Sequence, residues 1–355
     1  MAAQADAGGI GIDACLPIMN NDEETSMPCA SFFFRHALLA SALGASCALA
    51  QPAPTASTPA GGVRSVVVGR QPAPSFLESI AVGPDDAIYV TDFHGRQILR
   101  HVDGKGLEPY LRLDVHPWGL AFDAAGDMYF GAGESDIVDA SAPKVDLLYR
   151  LAKGEEAKAP VRRLKVDGAV ALNGMTALAP GRLLVADGRG GVIWLYDTRA
   201  NTVSKFVQDE LLDAPAGFKP STPAANGVKL HGGWLYVSNT ARQTIVRVRI
   251  SPDTLQPVGR VEVFADKVRA DDFAFSPAGN LVHATHRDKV MKIDAAGNSS
   301  EVPGTGPELA GNTAVVWRRN GDGPYVATDG GFILHHWYGG PAPAASNLVR
   351  LDGVD

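Results

Sequence analysis

Beyond residue 47 the chain has no cysteine: all three, Cys15, Cys29 and Cys47, fall in the first fifty residues. If that segment is removed, the remainder has neither a disulfide nor a thiol nucleophile. Basic charge is not in excess either. The formal net charge is −7, and −3 without the first fifty residues, so there is no electrostatic footprint for nucleic acid. No Gly-x-Ser-x-Gly elbow and no phosphate loop occurs past residue 50. Long amphipathic helix patterns are missing as well, which argues against α/β folds. The apolar run Ala37–Ala50 has only fourteen residues, too few to span a bilayer.

That run reads instead as a secretory signal segment. Arg35 and His36 precede it, Ala48-Leu49-Ala50 ends it, and a Pro/Ala/Thr/Ser linker follows from Gln51. Gly44 stands where a lipoprotein site at Cys47 would want an aliphatic residue. Asp22, Glu23 and Glu24 lie where a signal segment should be basic, so Met27 is the expected natural start. The organisation expected is residues 1–50 as extension and signal, 51–62 as linker and 63–355 as one folded domain. The product is expected to be secreted or periplasmic, cut near Ala50, with no membrane contact afterwards.

The whole chain is rich in glycine (39) and proline (24), as turn-rich β proteins are. It also repeats. Related segments begin at Glu78 ("ESIAVGPDDAIYVTD"), Trp118, Asn173, Asn226, Asp271 ("DDFAFSPAGNLVHAT") and, more loosely, Asn312. Each reads as a short apolar strand, a tight turn, and a second strand rich in Leu, Tyr and Val. Third strands follow at Gln97–Val102, Val192–Asp197, Thr244–Ile250 and Lys289–Asp294, with a fourth at Val261–Asp266. Six units of roughly 46 residues suit four-stranded propeller blades. The expected fold is all-β, a six-bladed β-propeller in one domain, closed by Val63–Gly69 joining Asn347–Gly353.

Aligning the units places Glu78, Trp118, Asn173, Asn226, Asp271 and Asn312 at one equivalent position, the start of each innermost strand. In a radial array such positions ring the central channel. Two carboxylates and two amides converging on an axis suit a hard divalent cation, which takes oxygen ligands. Zinc prefers His or Cys, and none occupies this ring. The histidines at 94, 101, 116, 231, 283, 286, 335 and 336 are scattered, and surface or structural roles are expected for them. Asp272 follows Asp271 directly. Strand alternation turns it the other way, toward a backbone partner or solvent.

The ordered set formed by the Glu of "LESIAVGPDDAIYVTD", the Asn-Gly pairs of "LNGMTAL" and "ANGVKL", and the Asp of "ADDFAFSPAGNLVHAT" resembles the regucalcin/gluconolactonase family. These are calcium-dependent six-bladed propellers related to diisopropylfluorophosphatase. The likeness runs from about Val63 to the end. It implies that Glu78, Asn173, Asn226 and Asp271 hold one divalent ion, calcium first, with zinc, manganese or magnesium as alternatives. It also implies hydrolysis, most often of a lactone, with Asp271 as general base or as direct nucleophile. Family members usually have glycine where this chain has Asp272.

Trp118 and Asn312 share the ring register and are expected to contact substrate. The partner expected is a small molecule, with no nucleic acid, on a monomer or small homo-oligomer. Phosphotriester or ester hydrolysis at the same site is an alternative. So is a non-catalytic binding propeller with a structural ion, which would not need an acid at 271.

Overall fold

The computed structural model describes residues 62–134, 146–155, 157, 161–218 and 222–354. The expected signal segment, the Met27 start and the linker as far as residue 61 lie outside the described residues.

Twenty-four strands form six four-stranded antiparallel sheets, and the fold is a six-bladed β-propeller. Strand β1 (Arg64–Gln71) precedes the blades. Blade 1 is β2 (Leu77–Val82), β3 (Ile88–Asp92), β4 (Gln97–Val102) and β5 (Gly106–Arg112). Blade 2 is β6 (His116–Phe122), β7 (Met128–Gly133), β8 (Asp146–Leu151) and β9 (Arg162–Lys165). Blade 3 is β10 (Leu172–Ala179), β11 (Arg182–Asp187), β12 (Val192–Asp197) and β13 (Thr202–Gln208). Blade 4 is β14 (Ala225–His231), β15 (Trp234–Asn239), β16 (Thr244–Ile250) and β17 (Pro257–Asp266). Blade 5 has the short strands β18 (Phe273–Phe275), β19 (Leu281–His283), β20 (Met291–Ile293) and β21 (Ser299–Glu301). Blade 6 is β22 (Asn312–Val316), β23 (Tyr325–Thr328) and β24 (Ser346–Asp352), with β1 as its outer strand. This is the closure expected from sequence, and β1 pairs with β24 from Arg64↔Asp352 to Gln71↔Ser346. Closing the ring leaves only the outer strand of each blade as an edge. A seven-residue helix, α1 (Phe332–Tyr338), lies between β23 and β24 and was not signalled by any periodicity.

Both faces of each blade pack on neighbours, so the inner strands read as nearly continuous apolar runs. Each of the six gaps between blades has its own cluster of buried side chains. Leu184, Val228 and Val246 fill the gap between blades 3 and 4, and Val282, Val326 and Val349 that between blades 5 and 6. A seventh cluster is built differently. Phe76, Phe93, Phe332 and Ile333 join the start of blade 1 to α1, with Trp118 and Trp337 packed against them.

The pairing of first and second strands is interrupted at the same place in every blade. Glu78 and Ser79 stand against Thr91 alone, since Leu77 pairs with Asp92 and Ile80 with Val90. Trp118-Gly119, Asn173-Gly174 and Asn226-Gly227 repeat this in blades 2 to 4. In blade 5, Asp271 N donates to Ala284 O (2.9 Å) and Ala284 N donates to Asp272 O (3.0 Å). Register also shifts after Asn312 in blade 6. A bulge of two residues against one re-aims side chains, so strict alternation does not hold where the ring residues sit.

The second residue of each pair touches the next blade. Ser79 Oγ accepts from Leu120 N (3.2 Å), Asp272 N donates to Thr313 O (3.1 Å), and Thr313 Oγ1 donates to Leu77 O (2.7 Å). Gly119 and Gly174 lie so close to the next blade that a Cβ would overlap the carbonyl oxygens of Asn173 and Asn226. Gly227 is pressed against Asp272. The contacts form a closed circuit around the channel.

Candidate metal and active site

Three ligand-capable side chains converge at the bulge end of the channel: Glu78 on β2, Asp271 just before β18, and His286 just after β19. Each offers an atom within 4.8 Å of the others, and their exposures are 7%, 2% and 7%. His286 Nε2 lies 2.5 Å from Asp271 Oδ2, and its Nδ1 lies 3.6 Å from Asp329 Oδ2. Glu78 Oε2 and His286 Nδ1 are buried without a hydrogen bond; Asp271 Oδ2 has only its contact with His286.

Asp271 is held on all sides. Asn226 Nδ2 donates to its Oδ1 and also to Thr240 Oγ1 (3.1 Å). Thr240 Oγ1 donates to Ala270 O (2.7 Å), and Ser238 Oγ donates to Asp271 O (2.5 Å). With its nitrogen committed, Asn226 keeps the lone pairs of its amide oxygen for a cation.

Burial, followed by the Asp271 charge, pushes the Glu78 carboxyl well above the usual carboxylate range. For His286, burial alone would depress the imidazole. The charge and hydrogen bond of Asp271, with the Asp329 charge beside Nδ1, outweigh it and hold the imidazole well above its ordinary value. Three carboxyl groups share this enclosed space with one imidazole. An uncompensated buried charge is costly, and a divalent cation would relieve the repulsion. The donor chemistry and the orphaned oxygens therefore fit such an ion.

Asp329 also ties the site to α1. Its Oδ1 accepts from Gly331 N (2.7 Å) and Phe332 N (3.0 Å), and its Oδ2 from Ile333 N (3.1 Å). The Phe332 ring packs 5.7 Å from that of Phe76, which stands edge-on to His286 at 6.5 Å.

Of the residues expected from sequence, Glu78 and Asp271 are brought together, and Asn226 is bonded to Asp271. Asn173 holds the same bulge position in blade 3, buried, with no side-chain hydrogen bond among the described residues. Trp118 is half-buried with its ring 4.3 Å from Phe93. Asn312 is a correction. It is 0% exposed, its oxygen accepts from Thr285 N (2.6 Å), and its nitrogen donates to Arg287 O (2.8 Å) and Leu309 O (3.0 Å). Nothing of it remains for substrate. Its backbone oxygen accepts from His286 N (2.8 Å), so Asn312 positions the segment carrying the imidazole.

Of the two alternatives for Asp272, the backbone partner is the one found: it is buried, accepts from Phe273 N (2.8 Å) and also pairs with Lys229 Nζ at 2.5 Å. Burial raises its carboxyl, while Lys229 opposes the rise. Asp272→Asn should cost about 3 kcal/mol in denaturant unfolding, because Lys229 is left poorly compensated, with activity kept within about threefold of wild type. Unchanged stability would refute the role given to this pair.

His286 is the residue that the sequence reading missed. The ring of first-strand starts holds no histidine, but a second ring faces the same channel. Two residues beyond the position opposite each bulge stand Phe93, Gly133, Gly188, Thr240, His286 and Gly330. Thr240 and His286, its polar members, both touch the Asn226–Asp271 pair directly. Aligning the ends of the second strands, as well as the starts of the first, would have found them.

No family model matches the chain, and no curated protein matches it. Solved structures do. A luciferin-regenerating enzyme superposes with a TM-score of 0.62 at 14% identity, over 82% of this chain and 96% of that one. A gluconolactonase from Xanthomonas campestris gives 0.57 at 14% identity, covering 82% and 90%. A calcium-binding regucalcin from Agrobacterium tumefaciens gives 0.54 at 16%, covering 81% and 96%. The chain shares the fold of these propellers. A virginiamycin B lyase from Staphylococcus aureus, inactivated by a histidine-to-alanine change, also matches, with a TM-score of 0.51 at 14% identity over 78% and 80%.

Proposed function

We propose that this chain is a divalent-metal-dependent hydrolase of a lactone or carboxylic ester, acting at the bulge end of the channel. The observation that carries the reading is the convergence of Glu78, Asp271 and His286 with buried, unsatisfied ligand atoms. Glu78, Asp271 and the amide oxygens of Asn226 and Asn173 would hold the ion. Oxygen donors suit calcium, and the adjoining imidazole widens the choice to manganese and zinc. When bound, the ion supplies polarisation of the scissile carbonyl.

The chain's own groups supply the proton chemistry. Asp271 Oδ2 accepts a proton from water as its oxygen bonds to the carbonyl carbon. His286 Nε2 donates a proton to the departing alkoxide as the carbon–oxygen bond breaks. The 2.5 Å contact between the two atoms lets the accepted proton pass to the imidazole and reset the pair. Asp329 keeps the ring oriented through Nδ1.

His286 also supports a second reading, elimination, in which the same pair moves a proton from carbon to the leaving oxygen; the structural resemblance to a lyase that needs a histidine agrees with it. The deciding experiment is a panel of lactones, esters and phosphotriesters assayed with Ca²⁺, Mn²⁺, Mg²⁺ or Zn²⁺ in ¹⁸O-labelled water. Metal-dependent turnover with label in the product supports hydrolysis. Unlabelled product bearing a new double bond supports elimination. Failure to bind any divalent ion would remove the metal reading, leaving a binding propeller.

A further inference from the structure

The channel site does not account for a group of arginines at the other end of the molecule. The first strand of each blade starts at the bulge ring, so the connections after first and third strands lie at the far end. There, between blades 2 and 3, a groove of about 470 Å³ is lined by Leu148, Arg150, Arg162, Arg163, Tyr196, Arg199 and their neighbours. That volume lies within the range of roughly 300–1,000 Å³ typical of small-molecule sites.

The charge arrangement is unusual. Arg150 and Arg162 are direct cross-strand partners on β8 and β9, with Leu148 opposite Leu164 on the same face. Like charges placed directly opposite destabilise a sheet. Asp127 compensates Arg150 through contacts of 2.8 and 2.5 Å. Among the described residues no carboxylate forms an ion pair with Arg162, Arg163 or Arg199. Asp197, the nearby acid on β12, stands 3.8 Å from Arg182 and accepts from Arg199 N (3.0 Å), so it offsets the Arg199 charge in part without pairing with its guanidinium. Besides Leu148 and Leu164 the lining adds neutral polar groups: the Tyr196 hydroxyl donating to Asn201 Oδ1 (2.8 Å), and Thr198. Guanidinium groups match the paired oxygens of phosphate and carboxylate, and neutral hydroxyls and amides can serve the remaining oxygens.

We propose that this groove binds a small ligand bearing two or more oxyanion groups, phosphate or carboxylate, at a site separate from the channel. Arg162 and Arg199 face it from the two blades, while Arg163, the next residue on β9, turns to the opposite face beside Tyr149.

The test is calorimetric titration of the full chain, freed of divalent ions so that chelation contributes nothing. The probes are pyrophosphate and citrate, with sodium chloride at equal ionic strength as control. Saturable binding of one anion per chain is expected. Arg162→Ala should bind about tenfold more weakly or worse, and Arg199→Ala should weaken binding similarly. Preference for pyrophosphate identifies phosphate as the natural group, and preference for citrate identifies carboxylate. The proposal is overturned if neither anion binds beyond the chloride control, or if the arginine variants, folded by circular dichroism, bind as wild type does. Should Arg162→Ala fail to fold, Arg199→Ala alone carries the decision.

Discussion

Asp271→Asn should lower turnover about 10³-fold while thermal unfolding stays cooperative. The substitution is nearly isosteric, and its side-chain oxygen can still accept from Asn226 Nδ2. The backbone bonds to Ser238 and Ala284 are untouched. What disappears is the negative oxygen facing His286 Nε2, and with it the acceptor for the proton of water. Divalent-ion affinity should fall as well, because one of two convergent carboxylates is gone. His286→Gln is the informative companion: turnover should collapse while ion binding stays within about threefold of wild type. Calorimetry on both variants separates a proton carrier from a ligand. Full activity in Asp271→Asn would sink the mechanism, and loss of ion binding in His286→Gln would make the imidazole a ligand instead.

Gly119→Ala should be the most damaging single methyl in the domain. A Cβ there overlaps the Asn173 carbonyl oxygen, and backbone of an inner strand cannot step aside as a flexible side chain does. A destabilisation of about 3 kcal/mol or more is expected, or about 6–10 °C in melting temperature for a domain of this size. Because Asn173 is the residue displaced, divalent-ion affinity should drop too, a readout that a purely structural lesion elsewhere would leave alone. A melting point within 1 °C of wild type would show that blade 2 relaxes more easily than the close approach implies.

The fold was legible because the repeat wrote it six times. Strands at Gln97–Val102, Val192–Asp197 and Thr244–Ile250 lie where alternation and turn signals put them, and the terminal strands pair as closure requires. Blade 5 was harder: the strand expected at Lys289–Asp294 is only Met291–Ile293. Helix α1 escaped because its seven residues are set by the Asp329 carboxylate and flanking glycines, not by an apolar period.

The site was half legible. Glu78, Asn226 and Asp271 announced themselves by being polar at the start of a core strand. Asn312 obeyed the same rule for a different reason, to hold Thr285–Arg287 in place. His286 stayed hidden because it comes from the end of a strand rather than the start, and because the bulge, not simple alternation, decides which way these side chains point. The ion pair of Asp272 stayed hidden for a related reason, although its backbone partner was expected. Its partner Lys229 belongs to another blade, and no pattern along one strand reveals a contact across 43 residues.

The junction of β1 with β24 has a kinetic meaning. Arg64 and Asp352 are 288 residues apart, yet they pair at one end of the same ladder. The strand made first must wait for the strand made last. Until then blade 6 lacks its outer strand, and five finished blades form an open arc with two bare flanks. Joining the ends of so long a loop is entropically slow, and contacts of such range delay folding. The arc is therefore the species most exposed to mispairing with a second chain. The inter-blade circuit at the channel is also complete only after that step, so Glu78 in blade 1 gains its fixed place beside Asp271 when the ring shuts.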